Sequence, residues 1–260
     1  MTTNVAENSW YKKAKVLDTD SGSEEDGAST KNDLDHDVLA AETSDIKPTG
    51  SRFTPTETYV FIDLEATGLP VLDILPDITE IAMVAVSRKV FEEGSTSRAP
   101  PRALDKLVMC VQPSREVNPG AQKMTGLSKS FLEKHGRKQM DQTVEMTVRC
   151  FLARQAQPVC LVSHNGNRLD FPVLKSELTK VEKKRLLTNV YKVDSLMFFQ
   201  THLTQRKHAF ALLCSQFLGQ ETSHDAEGDS VGLLQLLSDR YPDLRINFSN
   251  GPIPLKPYFE

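Results

Sequence analysis

Thr58-Tyr59-Val60-Phe61-Ile62-Asp63-Leu64-Glu65-Ala66-Thr67-Gly68-Leu69-Pro70 is the stretch on which the reading of this chain turns. Residues 58–63 are rich in β-branched and aromatic side chains and read as a buried strand. Side chains alternate along a strand, so Asp63 and Glu65, two apart at its end, face the same side. Two adjacent carboxylates repel each other unless a cation lies between them. Hard Mg²⁺ takes oxygen ligands, often one or two protein carboxylates, and leaves its other positions to water and phosphate. Taken alone, the pair is also what a solvated strand end looks like. The uncharged turn that follows, from Ala66 to Pro70, holds backbone close to whatever the acids bind.

Working outward, residues 78–86 and 104–111 read as two more strands, separated by a turn-rich surface segment at 93–101. Residues 159–163 and 190–193 read as a fourth and a fifth. Helical spacing marks 128–134, 142–154 and 172–184, with shorter stretches at 195–202, 209–218 and 228–240. Three strands in succession, followed by helices alternating with strands, predict an α/β fold with a mixed sheet flanked by helices.

The 260 residues give room for one full-sized domain and some extra. The extra lies at the front. Residues 1–50 hold five lysines against eleven acids, a net charge of −6 where the whole chain carries −4. Few apolar residues and abundant Ser, Thr and Asp make this segment an expected disordered acidic tail. Within it, Ser21 to Asp26 is similar to an acidophilic kinase target. The folded domain is expected over 51–245, and an extended tail over 246–260, where Pro252, Pro254 and Pro257 recur. Cys110, Cys150, Cys160 and Cys214 are far apart, form no C-x-x-C pair and lie in apolar runs, so they read as buried reduced thiols. Residues 1–15 lack the apolar core of a signal peptide, and no run nears the roughly 18 apolar residues of a membrane span. The expectation is a soluble protein of cytosol or nucleus.

Two more acids and a histidine complete the pattern. Asp170 lies between a strand and a helix, with Pro172 in the first turn; by itself it would be an N-cap. Asp229 opens an amphipathic helix and by itself would compensate the helix dipole. His224 by itself would be an ordinary loop histidine. Together they run D-x-E (Asp63, Glu65), N-G-x-x-x-D (Asn165 to Asp170) and H-x-x-x-x-D (His224 to Asp229).

That order resembles the DEDDh exonucleases, whose fold is ribonuclease H-like: a mixed five-stranded sheet flanked by helices. Within the group it is most similar to the three-prime repair exonucleases. The likeness is carried by Phe61 to Pro70, Met124-Thr125-Gly126-Leu127, His135-Gly136-Arg137, Leu161 to Gly166, Asp170-Phe171-Pro172 and His224 to Asp229, and covers about residues 58–241. The resemblance implies that Asp63, Glu65, Asp170 and Asp229 hold two Mg²⁺ ions, with Mn²⁺ able to substitute. It implies that His224 is the general base for the attacking water, a role an imidazole can fill near neutral pH. It places Ala66, Leu69, Pro70 and Met124 against the terminal bases, with Glu65 and His224 also touching substrate. Arg168 is set to reach a phosphate. Leu169 stands where the mammalian enzymes carry a tyrosine, and Met124 replaces a β-branched residue. His208 and Phe210 fall in a loosely matching segment. Implied with these are a homodimer paired through the third strand and release of nucleoside 5′-monophosphates from DNA 3′ ends, single-stranded or mispaired. The rivals are a DEDDh enzyme that trims RNA and an inactive nucleic-acid-binding adaptor on the same fold. Five intact site residues speak against the adaptor. Glycoside hydrolysis by paired acids gives no role to the histidine.

Overall fold

In the computed structural model, residues 56–94, 99–181, 190–203, 207–239 and 256–257 are described. The expected acidic tail at 1–50 lies outside them. Strand β1 (Thr58–Ala66) is buried almost throughout. It runs three residues past its expected end because β2 (Ile78–Ser87) pairs with it antiparallel as far as Glu65↔Glu80, and then, beyond a bulge, at Ala66↔Ile78. On its other side β1 pairs parallel with β4 (Val159–Ser163), which itself pairs parallel with β5 (Val190–Asp194). β3 (Asp105–Cys110) lies antiparallel on β2 and ends the sheet on that side. The order is thus β3-β2-β1-β4-β5, the five expected strands, with β1 in the middle. Lys256–Pro257, in the expected C-terminal tail, adds a two-residue β6 antiparallel to β5.

The alternation along β1 divides the core between the two faces of the sheet. Val60, Ile62 and Leu64 pack with Val148, Leu152, Phe171 and Leu174, from helices α4 (Gln142–Ala153) and α5 (Asp170–Val181). Tyr59 and Phe61 point the other way, to Phe198 and Phe199 of α6 (Ser195–His202) and Phe210 of α7 (Phe210–Leu213). With them pack Leu233, Leu234, Leu236 and Leu237 of α8 (Ala226–Asp239). Asp63 and Glu65 continue the odd-numbered face and so emerge under α8. α7 passes into a π-helical turn, Cys214–Leu218, so the expected helix at 209–218 is two short elements.

Three short helices occupy the connections. α3 (Lys129–Lys134) is expected; α1 (Arg88–Glu93) and α2 (Pro119–Thr125) are not. At six and seven residues, α1 and α2 are too short to show an apolar period, and only their ends mark them. Ser87 caps α1, and α2 has Asn118 as N-cap, Pro119 in its first turn and Gly126 at φ 73° as C-cap. α2 carries Met124. The cysteine expectation needs one correction. Cys160 and Cys214 are buried free thiols and Cys110 is half-buried, but Cys150 is exposed, on the outer face of α4. Among the described residues no helix is long and apolar enough to cross a membrane.

Candidate active site

β1 delivers Asp63 and Glu65 where the parallel ladder to β4 has stopped, its last pair being Phe61↔Val162. The backbone beyond that point has to find other partners. Leu64, between the two acids, donates its N–H to Asp170 Oδ1 at 3.1 Å, and Ser163 Oγ donates to Asp170 Oδ2 at 2.7 Å. Asp170 is therefore buried in the first turn of α5, tied to the end of β4 and to the peptide joining Asp63 to Glu65. From the opposite face α8 brings Asp229. Carboxylate oxygens of Asp63, Glu65 and Asp229 lie within 4.8 Å of one another, and Glu65 and Asp229 are buried. Three clustered carboxylates, two removed from water, are costly without a counter-charge. An all-oxygen donor set suits a hard divalent cation. The residues fit a metal centre.

The approach of α8 is fixed by its start. Asp225 Oδ1 accepts from the Gly228 N–H at 2.8 Å, an N-cap, and Glu80 Oε2 accepts from the Ala226 N–H at 3.0 Å. Glu80 is the β2 residue opposite Glu65. Burial pushes its carboxyl up, the Ala226 amide opposes this, and the charges of Asp225 and Glu227 add to it. Asp229 Oδ1 accepts from Ser223 N at 3.2 Å and from Ser223 Oγ at 3.3 Å. These contacts fold residues 223–229 tightly. A Cβ on Gly228 would lie 2.8 Å from Ser223 Cβ, so no larger residue fits there without movement. His224 follows the residue tied to Asp229. It is half-buried, has φ 58°, and its Nε2 lies 3.4 Å from the Thr222 hydroxyl. Glu227 is turned away, paired with Lys106 of β3 at 2.9 Å.

The second motif is built on a carboxylate that the motif reading passed over. Asp194, at the end of β5, accepts from Asn165 N at 2.8 Å, Asn167 N at 3.0 Å and Leu196 N at 3.0 Å, so it caps α6 and clamps the 165–167 turn. Burial pushes its carboxyl up, and the amides, that of Gly166 included, do not cancel the shift. Gly166 is needed where it stands, since a Cβ there would lie 2.6 Å from Ser163 Cβ and 2.8 Å from the Phe171 ring. The signal for Asp194 was an Asp immediately before a helix start. His164 of the same motif is buried between Phe199 and Phe210. Its Nε2 donates to the His208 carbonyl at 2.8 Å and its Nδ1 lies 3.0 Å from Ser195 Oγ, which is a structural role.

The remaining candidates divide between surface and core. Arg168 is exposed on the turn before α5. Leu169 is half-buried and packs against the core beneath β1. Ala66 is buried, whereas Leu69, Pro70 and Met124 are half-buried. Phe210 is a core residue, and His208 contributes its carbonyl to His164.

The family model described as Exonuclease matches residues 60–237. This chain belongs to the exonuclease family. Within that family it is 38% identical over 200 residues to three-prime repair exonuclease 1 of Bos taurus, covering 70% of this chain and 63% of that one. It is 37% identical over 203 residues to three prime repair exonuclease 2 of Mus musculus, covering 72% and 85%. The chain thus spans a little under two thirds of the length of the bovine relative and most of the mouse one. Among solved structures it is similar to E. coli exonuclease I in complex with a dA16 oligonucleotide, with TM-score 0.55, 16% identity, and 73% and 42% of the two chains covered. Exonuclease I of Methylocaldum szegediense gives TM-score 0.56 at 14% identity, with 74% and 42% covered. The exonuclease fold is ribonuclease H-like, as expected.

Proposed function

We propose that this chain is a metal-dependent 3′–5′ exodeoxyribonuclease, hydrolysing phosphodiester bonds from the 3′ end of DNA and releasing nucleoside 5′-monophosphates. The observation that carries this is the convergence of Asp63, Glu65 and Asp229 at the end of the central strand, with Asp170 bonded to the peptide between the first two. Asp63, Glu65, Asp170 and Asp229 would hold two Mg²⁺, or Mn²⁺ in their place. Bound there, such ions lower the pKa of a water and neutralise charge on the phosphate and the departing 3′ oxygen. His224, half-buried and next to the residue bonded to Asp229, takes the proton from the attacking water. Ala66, Leu69, Pro70 and Met124 receive the terminal bases through backbone and apolar contacts, which accept any base. Arg168 meets a phosphate, and Leu169 supports that turn from below.

DNA rather than RNA is the substrate we favour, from the likeness to the three-prime repair relatives. Discrimination rests on the 2′-hydroxyl. The test is side-by-side digestion of matched 5′-labelled single-stranded DNA and RNA with Mg²⁺. Faster shortening of DNA supports the reading, and faster shortening of RNA moves the chain to the RNA-trimming branch. No shortening of either makes it a binding adaptor.

The working form we propose is a homodimer of a cytosolic or nuclear protein, joined through β3. That strand ends the sheet, contains no proline, and is flanked by exposed Leu104 with Val108 half-exposed on it. Light scattering at micromolar concentration should give twice the chain mass, and a monomer mass rejects this interface.

A further inference from the structure

Asp77 is the last residue before β2 and only 4% exposed, yet it belongs to none of the sequence motifs. Burial on its own would push its carboxyl up. Instead it is held below the ordinary range, because Ser114 and Arg115 surround it with donors. Its Oδ2 accepts from Ser114 N at 2.8 Å, Ser114 Oγ at 2.5 Å and Arg115 N at 3.2 Å, while Arg115 Nη2 lies 3.0 Å from Oδ1. Its backbone is engaged as well. Thr67 N donates to the Asp77 carbonyl at 2.9 Å, and Asp77 N donates to Thr67 Oγ1 at 3.1 Å. Thr67 in turn accepts at its carbonyl from Asn118 N at 2.8 Å, and Asn118 caps α2.

Three segments are thus tied together around Asp77, one through its backbone, one through its carboxylate and the third through Thr67. The first is the turn that leaves Glu65 and runs through Ala66, Leu69 and Pro70. The second is the loop of Ser114 and Arg115. The third is α2, which carries Met124. Between the first two lies an open cleft lined by Thr67, Gly68, Leu69, Arg115, Val117 and Asn118, two residues beyond Glu65. Asp77 touches neither the clustered acids nor the cleft's mouth.

We propose that Asp77 is the positioning residue of the cleft that receives the DNA 3′ end, locking both walls and aiming the Arg115 guanidinium along one of them. The proposal rests on the exonuclease reading of the neighbouring acids and adds a residue to it. Asp77→Asn keeps the shape, but replaces an oxygen by an NH₂ among donors and removes the charge opposite Arg115. The consequence is a displaced wall with an intact acid cluster. Steady-state kinetics on single-stranded DNA should show KM raised about tenfold, the scale of one charge-assisted hydrogen bond. The same variant should keep kcat within about twofold, since no group acting at the transition state is lost. Ser114→Ala and Arg115→Gln each take one donor from the same carboxylate and leave it charged. Each should raise KM by about two- to fivefold. A variant whose kcat falls with its folded fraction while KM stays at the wild-type value would show a merely structural role and overturn the proposal. So would unchanged KM and kcat in all three variants. Wild-type protein that fails to shorten DNA would overturn the exonuclease reading and this proposal with it, an outcome distinct from an active wild type with insensitive variants.

Discussion

His224 is the residue to which the proposed mechanism gives the proton transfer. It has φ 58°, in the left-handed region that non-glycine residues adopt uncommonly and that Asn, Asp and His adopt more readily than alanine does. Replacing it by alanine tests the side chain and the strained backbone together; asparagine tolerates that backbone and isolates the side chain. Both His224→Ala and His224→Asn should lower the single-turnover rate by about 10²–10⁴-fold, the usual worth of a general base. DNA affinity should stay close to wild type. A near wild-type rate in the asparagine variant, or a rate lost only through lost binding, removes His224 from the chemistry. His164 shows why a motif position is not a role: it lies in the same set of matching residues, yet both ring nitrogens are occupied inside the core.

Two elements carry the acid cluster, β1 and the first turn of α8, and their legibility in the sequence differed. β1 was legible because its apolar run is local and rich in β-branched and aromatic residues. The pairing of Asp63 with Glu65 followed from the alternation of side chains along any strand. The convergence of Asp229 with them depends on a helix crossing the sheet, which no local pattern encodes; family resemblance supplied it. α1, α2 and Asp77 were not legible, since short helices show only their caps and a buried carboxylate is defined by partners distant in sequence; Asp194 left the local signal of an Asp before a helix start, but not its clamp on the 165–167 turn. Asp225 and Glu227 fill two of the unspecified positions between His224 and Asp229, and their roles differ. Asp225 caps α8, whereas Glu227 holds an exposed ion pair with Lys106. Asp225→Ala should therefore cost about 0.5–2 kcal/mol of stability in urea unfolding. Glu227→Ala should cost no more than about 1 kcal/mol. A smaller loss in Asp225→Ala than in Glu227→Ala would mean that the cap does not hold the helix start.

At the scale of the whole molecule, buried carboxylates couple folding to pH in opposite directions. Asp77, held below its ordinary value of 3.8, adds stability above that value and loses it as the pH falls through its folded value. Asp194 and Glu80, pushed up by burial, favour the folded state in acid and give up that contribution as the pH rises through the interval between ordinary and folded values. Urea unfolding at a series of pH values should therefore show the stability gap between wild type and Asp77→Asn full near pH 6 and narrowing below about pH 3.8. A gap independent of pH would mean that the charge on Asp77 is not what holds the loops. The central claim, that the acids at the end of β1 form a metal centre cutting DNA from its 3′ end, calls for one assay. A 5′-labelled single-stranded oligonucleotide is incubated with wild type and with Asp229→Asn, with Mg²⁺ and with chelator. Wild type should shorten the DNA in single-nucleotide steps from the 3′ end. The steps should vanish in chelator, return with Mg²⁺ or Mn²⁺, and slow by several orders of magnitude in a folded Asp229→Asn protein. Shortening that persists in chelator, or at an undiminished rate in Asp229→Asn, would contradict the account.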